Sequence, residues 1–275
     1  MADEKKIYPF TNGEIFKVVM QDESIAAEII SIILNRKVRK IKNYSTQKDK
    51  KTTKFSRGVR FDLCFEDDEA IYDVEMQNSS AFDMGRRCRY YQGMIDSDIL
   101  GVSEDYDNLK DSYIIFLCTY DPFNLEQPIY TFESVCTDNA ECSVGDALKL
   151  ETGAKIVICN ALAYKKTNDN LRSLLKYLTT HKVTKNNAFI EQIDEAVRYA
   201  NGDEKVRSAA MISDFKLKDA KNEGIAIGME LGMERGKKHW IEQDRNKLIS
   251  ILDYDNVGLS DEQKKIIITE FSRTS

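Results

Sequence analysis

Asp73, Glu75 and Gln77 occupy every second position of IYDVEMQ (71–77), the spacing that puts side chains on one face of an extended chain. Two carboxylates and a carboxamide on one strand face either meet solvent or offer oxygens to a cation. The second use needs another acid nearby. VRFDLCF (59–65) supplies one, because Val59, Phe61, Leu63 and Phe65 alternate there with Arg60, Asp62 and Cys64. The acidic run EDDE (66–69) between the two segments reads as a turn, so a hairpin is predicted. With the turn centred on Asp67 and Asp68, Phe65 faces Ala70, and Asp62 lies across from Asp73 and diagonal to Glu75. Same-face membership follows from parity and survives a loop longer by two. Phe61, Leu63, Tyr72, Val74 and Met76 then share the other face, as expected of a sheet whose apolar side meets a core and whose polar side lines a cleft. Two carboxylates on neighbouring strands can share one Mg²⁺, leaving room for water and a substrate phosphate oxygen. Such an ion stabilises charge on phosphoryl oxygens and acidifies water, and Gln77 could hydrogen-bond that water or the scissile phosphate. By itself the D…E-x-Q spacing is a weak signal, common on polar strand faces.

Composition narrows the chemistry further. The chain holds 275 residues but only two histidines, His181 and His239, each alone, which disfavours zinc sites, histidine-dependent nucleases and serine or cysteine triads. Six cysteines are scattered without a C-x-x-C pair, and neither a leader nor a long apolar run is seen. A reduced, cytoplasmic protein without a membrane span is expected, its thiols serving as small core residues. Charge is unevenly spread. Residues 36–60 carry eleven Lys or Arg against Asp49 alone, a net +10 that leaves −16 for the rest of a chain whose total is −6. This segment is either a solvated loop or a phosphate-contacting arm.

The elements that must position these groups are legible in outline. Residues 14–20 and a stretch after a cap at Asp22 read as two helices. Following the hairpin, residues 82–100 read as a helix that pairs Arg86 with Tyr90 and Arg87 with Tyr91 at i,i+4 spacing. SYIIFLCTY (112–120) is a strand buried on both faces, and 128–132 and 154–162 are further strand candidates. Apolar spacing in 171–181 and 187–200 is helical. The expected fold is α/β, a mixed sheet flanked by helices with a C-terminal helical region; the expected division is 1–165, 166–220 and 221–275. In the last part, glycine recurs at 224, 228, 232 and 236 within a helix-favouring composition. That choice gives up roughly 3 to 4 kcal/mol of helix propensity, which close helix contact could recover; a repeat-expanded tail is the other reading. A capping box, S-D-E-Q, opens a final helix at Ser260.

Taken in order, FTNGEIFKVVM, VRFDLCFED, IYDVEMQ, RCRYY, YIIFLCTYDPF, LLKYL and the glycine tail resemble the Rpn family of recombination-promoting nucleases, also described as transposases, in the PD-(D/E)XK nuclease superfamily. The resemblance covers nearly the whole chain. It implies a restriction-endonuclease-like fold and Mg²⁺-dependent DNA cleavage, with Mn²⁺ as an alternative ion. It assigns metal binding to Asp62 and Glu75, and gives Gln77 the position that lysine usually holds in the wider superfamily. Where similar proteins read Asn-Asp, this chain has Asn12-Gly13, so Glu14 is the candidate for the first-helix acid that assists the metal.

The leading expectation is therefore a DNA endonuclease of little sequence preference, linked to recombination, transposition or phage defence. Asp62, Glu75, Gln77 and Glu14 would form its catalytic set. Arg36, Lys37, Arg39, Lys40, Lys48, Lys50, Lys51, Lys54 and Arg57, with Arg86, Arg87 and Arg89, would hold the DNA backbone. The tail would join protomers, a dimer being favoured. The rival expectations are a catalytically weak or inactive DNA-binding protein that keeps the nuclease fold, and an assembly protein whose tail carries the biological role.

Overall fold

A computed structural model describes residues 6–43, 63–79, 83–100, 103–136, 149–252 and 258–274. Asp62, Lys48, Lys50, Lys51, Lys54 and Arg57 lie outside these residues. The chain divides into two units, 1–213 and 214–275.

The first unit begins with α1 (Gly13–Val19) and α2 (Glu23–Leu34). Their starts are fixed by side chains that satisfy the unpaired amides of a first turn. Asn12 accepts from the amides of Glu14 and Ile15, and Asp22 from those of Ser24 and Ile25. The strands β1 (Lys42–Asn43), β2 (Leu63–Glu66) and β3 (Ala70–Gln77) follow, then α3 (Met84–Ile99), β4 (Asp111–Cys118), β5 (Ile129–Phe132) and β6 (Ala154–Asn160). They form one six-stranded sheet in the order β1-β2-β3-β4-β6-β5. β3, β4 and β6 are parallel neighbours, and the pairs β1–β2, β2–β3 and β5–β6 are antiparallel. This is the mixed sheet flanked by helices that the sequence predicts. Parallel strands need a crossover connection, and α3 lies between β3 and β4 in the chain.

The hairpin forms, with its register displaced by two residues from the sequence expectation. Phe65 pairs with Tyr72 rather than Ala70, and Cys64 with Asp73. Asp67 causes this: its carboxylate accepts the amides of Glu69 and Ala70 at 2.9 and 2.7 Å, so the turn closes one residue later. An even shift preserves the faces. Tyr72, Val74 and Met76 accordingly enter the larger core with α1 and α2.

That core also takes α4 (Asp169–Thr180) and α5 (Ala188–Gly202). Leu171, Leu174, Leu175 and Leu178 of α4 and Ile190, Ile193 and Val197 of α5 are buried in it. Buried Asn201 ties the N-terminal segment to α5. Its side chain accepts from the Tyr8 amide at 2.8 Å and donates to the carbonyls of Tyr8 and Val197 at 2.9 and 2.8 Å.

α6 (Glu204–Leu252) begins in the first unit, and its remainder makes up the second unit together with α7 (Asp261–Thr274). Gly224, Gly228, Gly232 and Gly236 are all helical, and open space surrounds the place where each Cβ would stand. Ile225, Met229 and Met233 flank the glycine stripe on one side and Ile227 and Leu231 on the other, by the 100° step of an α-helix; all five are exposed. The capping box at α7 forms as predicted, the Ser260 amide donating to Gln263 Oε1 at 2.9 Å and the Gln263 amide to Ser260 Oγ at 3.3 Å. Among the described residues no helix is long and apolar enough to cross a membrane.

Candidate active site at the β3–α3 interface

Along β3, alternation turns Ile71, Asp73, Glu75 and Gln77 toward α3. The sequence predicts a polar cleft on this face, whereas α3 covers much of it. Met84, Cys88 and Ile95 of α3 close over Cys64, Ile71, Ile114, Phe116, Cys118 and Ile158, forming a second core. Asp73 is wholly buried, Glu75 is 2 % exposed and Gln77 is partly exposed. Access thus grows toward the carboxyl end of β3, the end of a parallel strand where α/β sheets commonly bind ligands.

Four side chains meet at that end. Arg87 donates through Nη2 to Glu75 Oε2 and to the Tyr91 hydroxyl, both at 3.1 Å. Its Nη1 approaches Gln77 Oε1 at 3.5 Å, and Gln77 Nε2 approaches Glu75 Oε2 at the same distance. The guanidinium also lies over the Tyr91 and Phe116 rings, 5.5 and 5.6 Å from their centroids, where an aromatic quadrupole favours a cation. Burial works against the Arg87 charge, but the contacts with Tyr91 and Glu75 outweigh it and lift the group above its ordinary value. For the Tyr91 hydroxyl, burial and the Glu75 charge together raise the pKa against the opposing pull of Arg87. Helix α3 is itself anchored by Gln92, which donates to Asp96 at 2.8 Å and to Ser112 Oγ of β4 at 2.6 Å.

Burial dominates the deeper thiols of this face. It holds the Cys64 thiol well above the ordinary range, with the Asp73 charge adding to it. Cys88 is pushed up to about 11 and Cys118 to about 12, again chiefly by burial. These are neutral thiols filling space, as the scattered cysteines suggest.

The other sequence-predicted residues are distributed around this cluster. Glu14 sits in the first turn of α1, 3.6 Å from Lys17. Asn78, next to Gln77, donates to the Thr11 carbonyl at 2.6 Å and so ties the segment entering α1 to the end of β3. Arg86 and Arg89 are exposed on α3, whereas Arg87, grouped with them in the sequence reading, turns inward. Arg36 lies on the opposite face of the sheet. It donates to the Tyr72 hydroxyl at 2.6 Å and its guanidinium stands 4.7 Å from the Tyr113 centroid. Lys37, Arg39 and Lys40 are exposed.

A family model described as PD-(D/E)XK nuclease family transposase matches residues 14–228. The chain belongs to this family. The mixed sheet and the acidic carboxyl end of β3 are consistent with the restriction-endonuclease-like fold that membership implies. No curated protein matches the chain, and no solved structure does. For a PD-(D/E)XK member the expected donors are hard oxygens suited to a divalent cation. The Glu75 carboxylate fits that chemistry, and no group of three or more His, Cys, Asp or Glu able to hold a metal occurs among the described residues.

Sequence reasoning missed the inward role of Arg87 and of Tyr91. A signal was present: Met84, Cys88, Tyr91 and Ile95 follow the i, i+4, i+7, i+11 spacing of a buried stripe, and Arg87 falls beside it between Met84 and Tyr91.

Proposed function

We propose that this chain is a DNA endonuclease that hydrolyses phosphodiester bonds with a divalent cation, Mg²⁺ or Mn²⁺. The observation that carries the reading is Glu75, a nearly buried carboxylate at the carboxyl end of β3 with Gln77 and Arg87 around it, in a member of a nuclease family. A cation held there would stabilise charge on the phosphoryl oxygens and acidify water. Glu75 would be one ligand and Asp62 the other. Gln77 would orient water or the scissile phosphate through its amide, and Glu14, on the helix tied to the end of β3, would assist.

Affinity for DNA would come from Lys37, Arg39, Lys40, Arg86 and Arg89, together with Lys48, Lys50, Lys51, Lys54 and Arg57. Phosphate contacts carry no base information, so cleavage is expected to show weak sequence preference and strong salt dependence. The glycine stripe, flanked by exposed Ile225, Met229 and Leu231, would join two copies, and paired sites could then cut both strands. Recombination, transposition or phage defence in the cytoplasm would be the setting.

A second reading is favoured by the ion pair itself. Arg87 already balances Glu75, and a neutral Gln77 offers no charge to the transition state, as expected of a weak or inactive DNA-binding member. Calorimetric titration of Mg²⁺ or Mn²⁺ separates the two. Binding that disappears in Glu75→Ala supports the endonuclease, and absence of binding in the unaltered protein supports the second reading.

A further inference from the structure

Arg87 and the proposed cation compete for the same carboxylate. Glu75 Oε2 receives Arg87 Nη2 at 3.1 Å and has Gln77 Nε2 at 3.5 Å, and its side chain is 3 % exposed against 32 % for Arg87. A carboxylate this deeply buried needs positive or hydrogen-bonding partners, and the Arg87 guanidinium is one of them. A divalent cation on the same carboxylate would set like charges side by side and release the guanidinium. Tyr91 gives the released group a pivot, since it contacts the same Nη2 and lies four residues along the same helix. Swinging about Tyr91 moves the guanidinium toward the third of its surface already open to solvent, on the helix that exposes Arg86 and Arg89.

Resting on the metal-dependent reading above, we propose that Arg87 is an exchange residue that holds Glu75 in the metal-free protein and passes to a DNA phosphate when the cation takes Glu75. Metal and DNA binding are then mutually reinforcing, because a coupling between two equilibria acts equally in both directions. Arginine suits such an exchange because its fork matches either a carboxylate or a phosphate.

The test uses the full chain and needs no turnover. Cation affinity is measured by calorimetry with Mn²⁺ alone. DNA affinity is measured by anisotropy of a short labelled duplex, in EDTA and in Ca²⁺, at matched ionic strength. In the unaltered protein the cation should tighten duplex binding by about ten-fold, within the usual range of allosteric coupling. Arg87→Gln keeps donors for Glu75 and Tyr91 but has no charge for phosphate, so it should bind Mn²⁺ several-fold more tightly and lose the cation's effect on DNA. Arg87→Met should do the same, and thermal melting monitors the fold of both. Cation and duplex binding with unchanged coupling in Arg87→Gln overturns the exchange and leaves the metal site standing. Absence of Mn²⁺ binding in both the unaltered chain and Arg87→Gln overturns the metal site and the exchange together.

Discussion

Removing one partner of the Glu75–Arg87 pair should cost very different amounts depending on which partner goes. In Arg87→Ala the remaining charge is a carboxylate whose side chain is 3 % exposed, so it cannot recover its hydration. Breaking a buried pair in this way costs about 3 to 5 kcal/mol. In Glu75→Ala the remaining guanidinium is 32 % exposed and keeps its contacts with Tyr91 and the Phe116 ring, so a cost of about 1.5 to 3 kcal/mol is expected, typical of one lost hydrogen bond to a charged group. Taken between the middles of the two ranges, a difference of roughly 2 kcal/mol, the melting point should be lower by roughly 4 to 8 °C in Arg87→Ala than in Glu75→Ala, at about 2 to 4 °C per kcal/mol for a domain of this size. Near-ultraviolet dichroism is a suitable assay, because buried Tyr72 and Tyr177 report on the first unit while the single tryptophan, Trp240, belongs to the second. Equal destabilisation, or a larger loss in Glu75→Ala, would refute the burial argument.

Further outcomes follow from other contacts. Asn201→Leu should destabilise the first unit by about 2 to 3 kcal/mol in urea melts, because it leaves the buried Tyr8 amide and carbonyl without their partner; a change under about 0.5 kcal/mol, the usual size of a neutral surface substitution, would remove Asn201 from the fold's essential contacts. Thiol labelling at pH 8 should modify exposed Cys136 quickly, while Cys64, Cys88, Cys118 and Cys159 react only on unfolding. With thiol pKa values pushed up to about 11 for Cys88 and about 12 for Cys118, little thiolate is present at that pH. Replacing Gly228 and Gly232 together with leucine should lower the solution mass by light scattering if the stripe joins protomers, and an unaltered mass would take the stripe out of the assembly.

Much of the architecture can be read from residues close together in the chain. The Asp22 cap and the Ser260 capping box are local, and each forms where local chemistry dictates. The hairpin's faces were legible from parity. Its register was not, because it turned on one side chain, Asp67, accepting two backbone amides. Longer-range docking was harder to foresee. β4 is apolar on both faces, so its sequence cannot reveal that Ile114 and Phe116 face α3 while Ile115 and Leu117 face the larger core. Without that phase, the depth at which α3 covers Asp73 and Glu75 is hidden. Charge alone was also ambiguous: the sequence groups Arg36 and Arg87 with exposed basic residues, but aromatic rings draw both inward, Tyr72 and Tyr113 for one and Tyr91 and Phe116 for the other.

The central claim is that the Glu75 carboxylate supports cation-dependent cleavage of DNA. Incubating supercoiled plasmid with the purified chain in Mg²⁺, beside an EDTA control and the near-isosteric Glu75→Gln, tests it most directly. Nicked circles should accumulate with the unaltered protein in Mg²⁺ and fail to appear in the other two reactions. Equal nicking by Glu75→Gln, or nicking that persists in EDTA, would contradict the account.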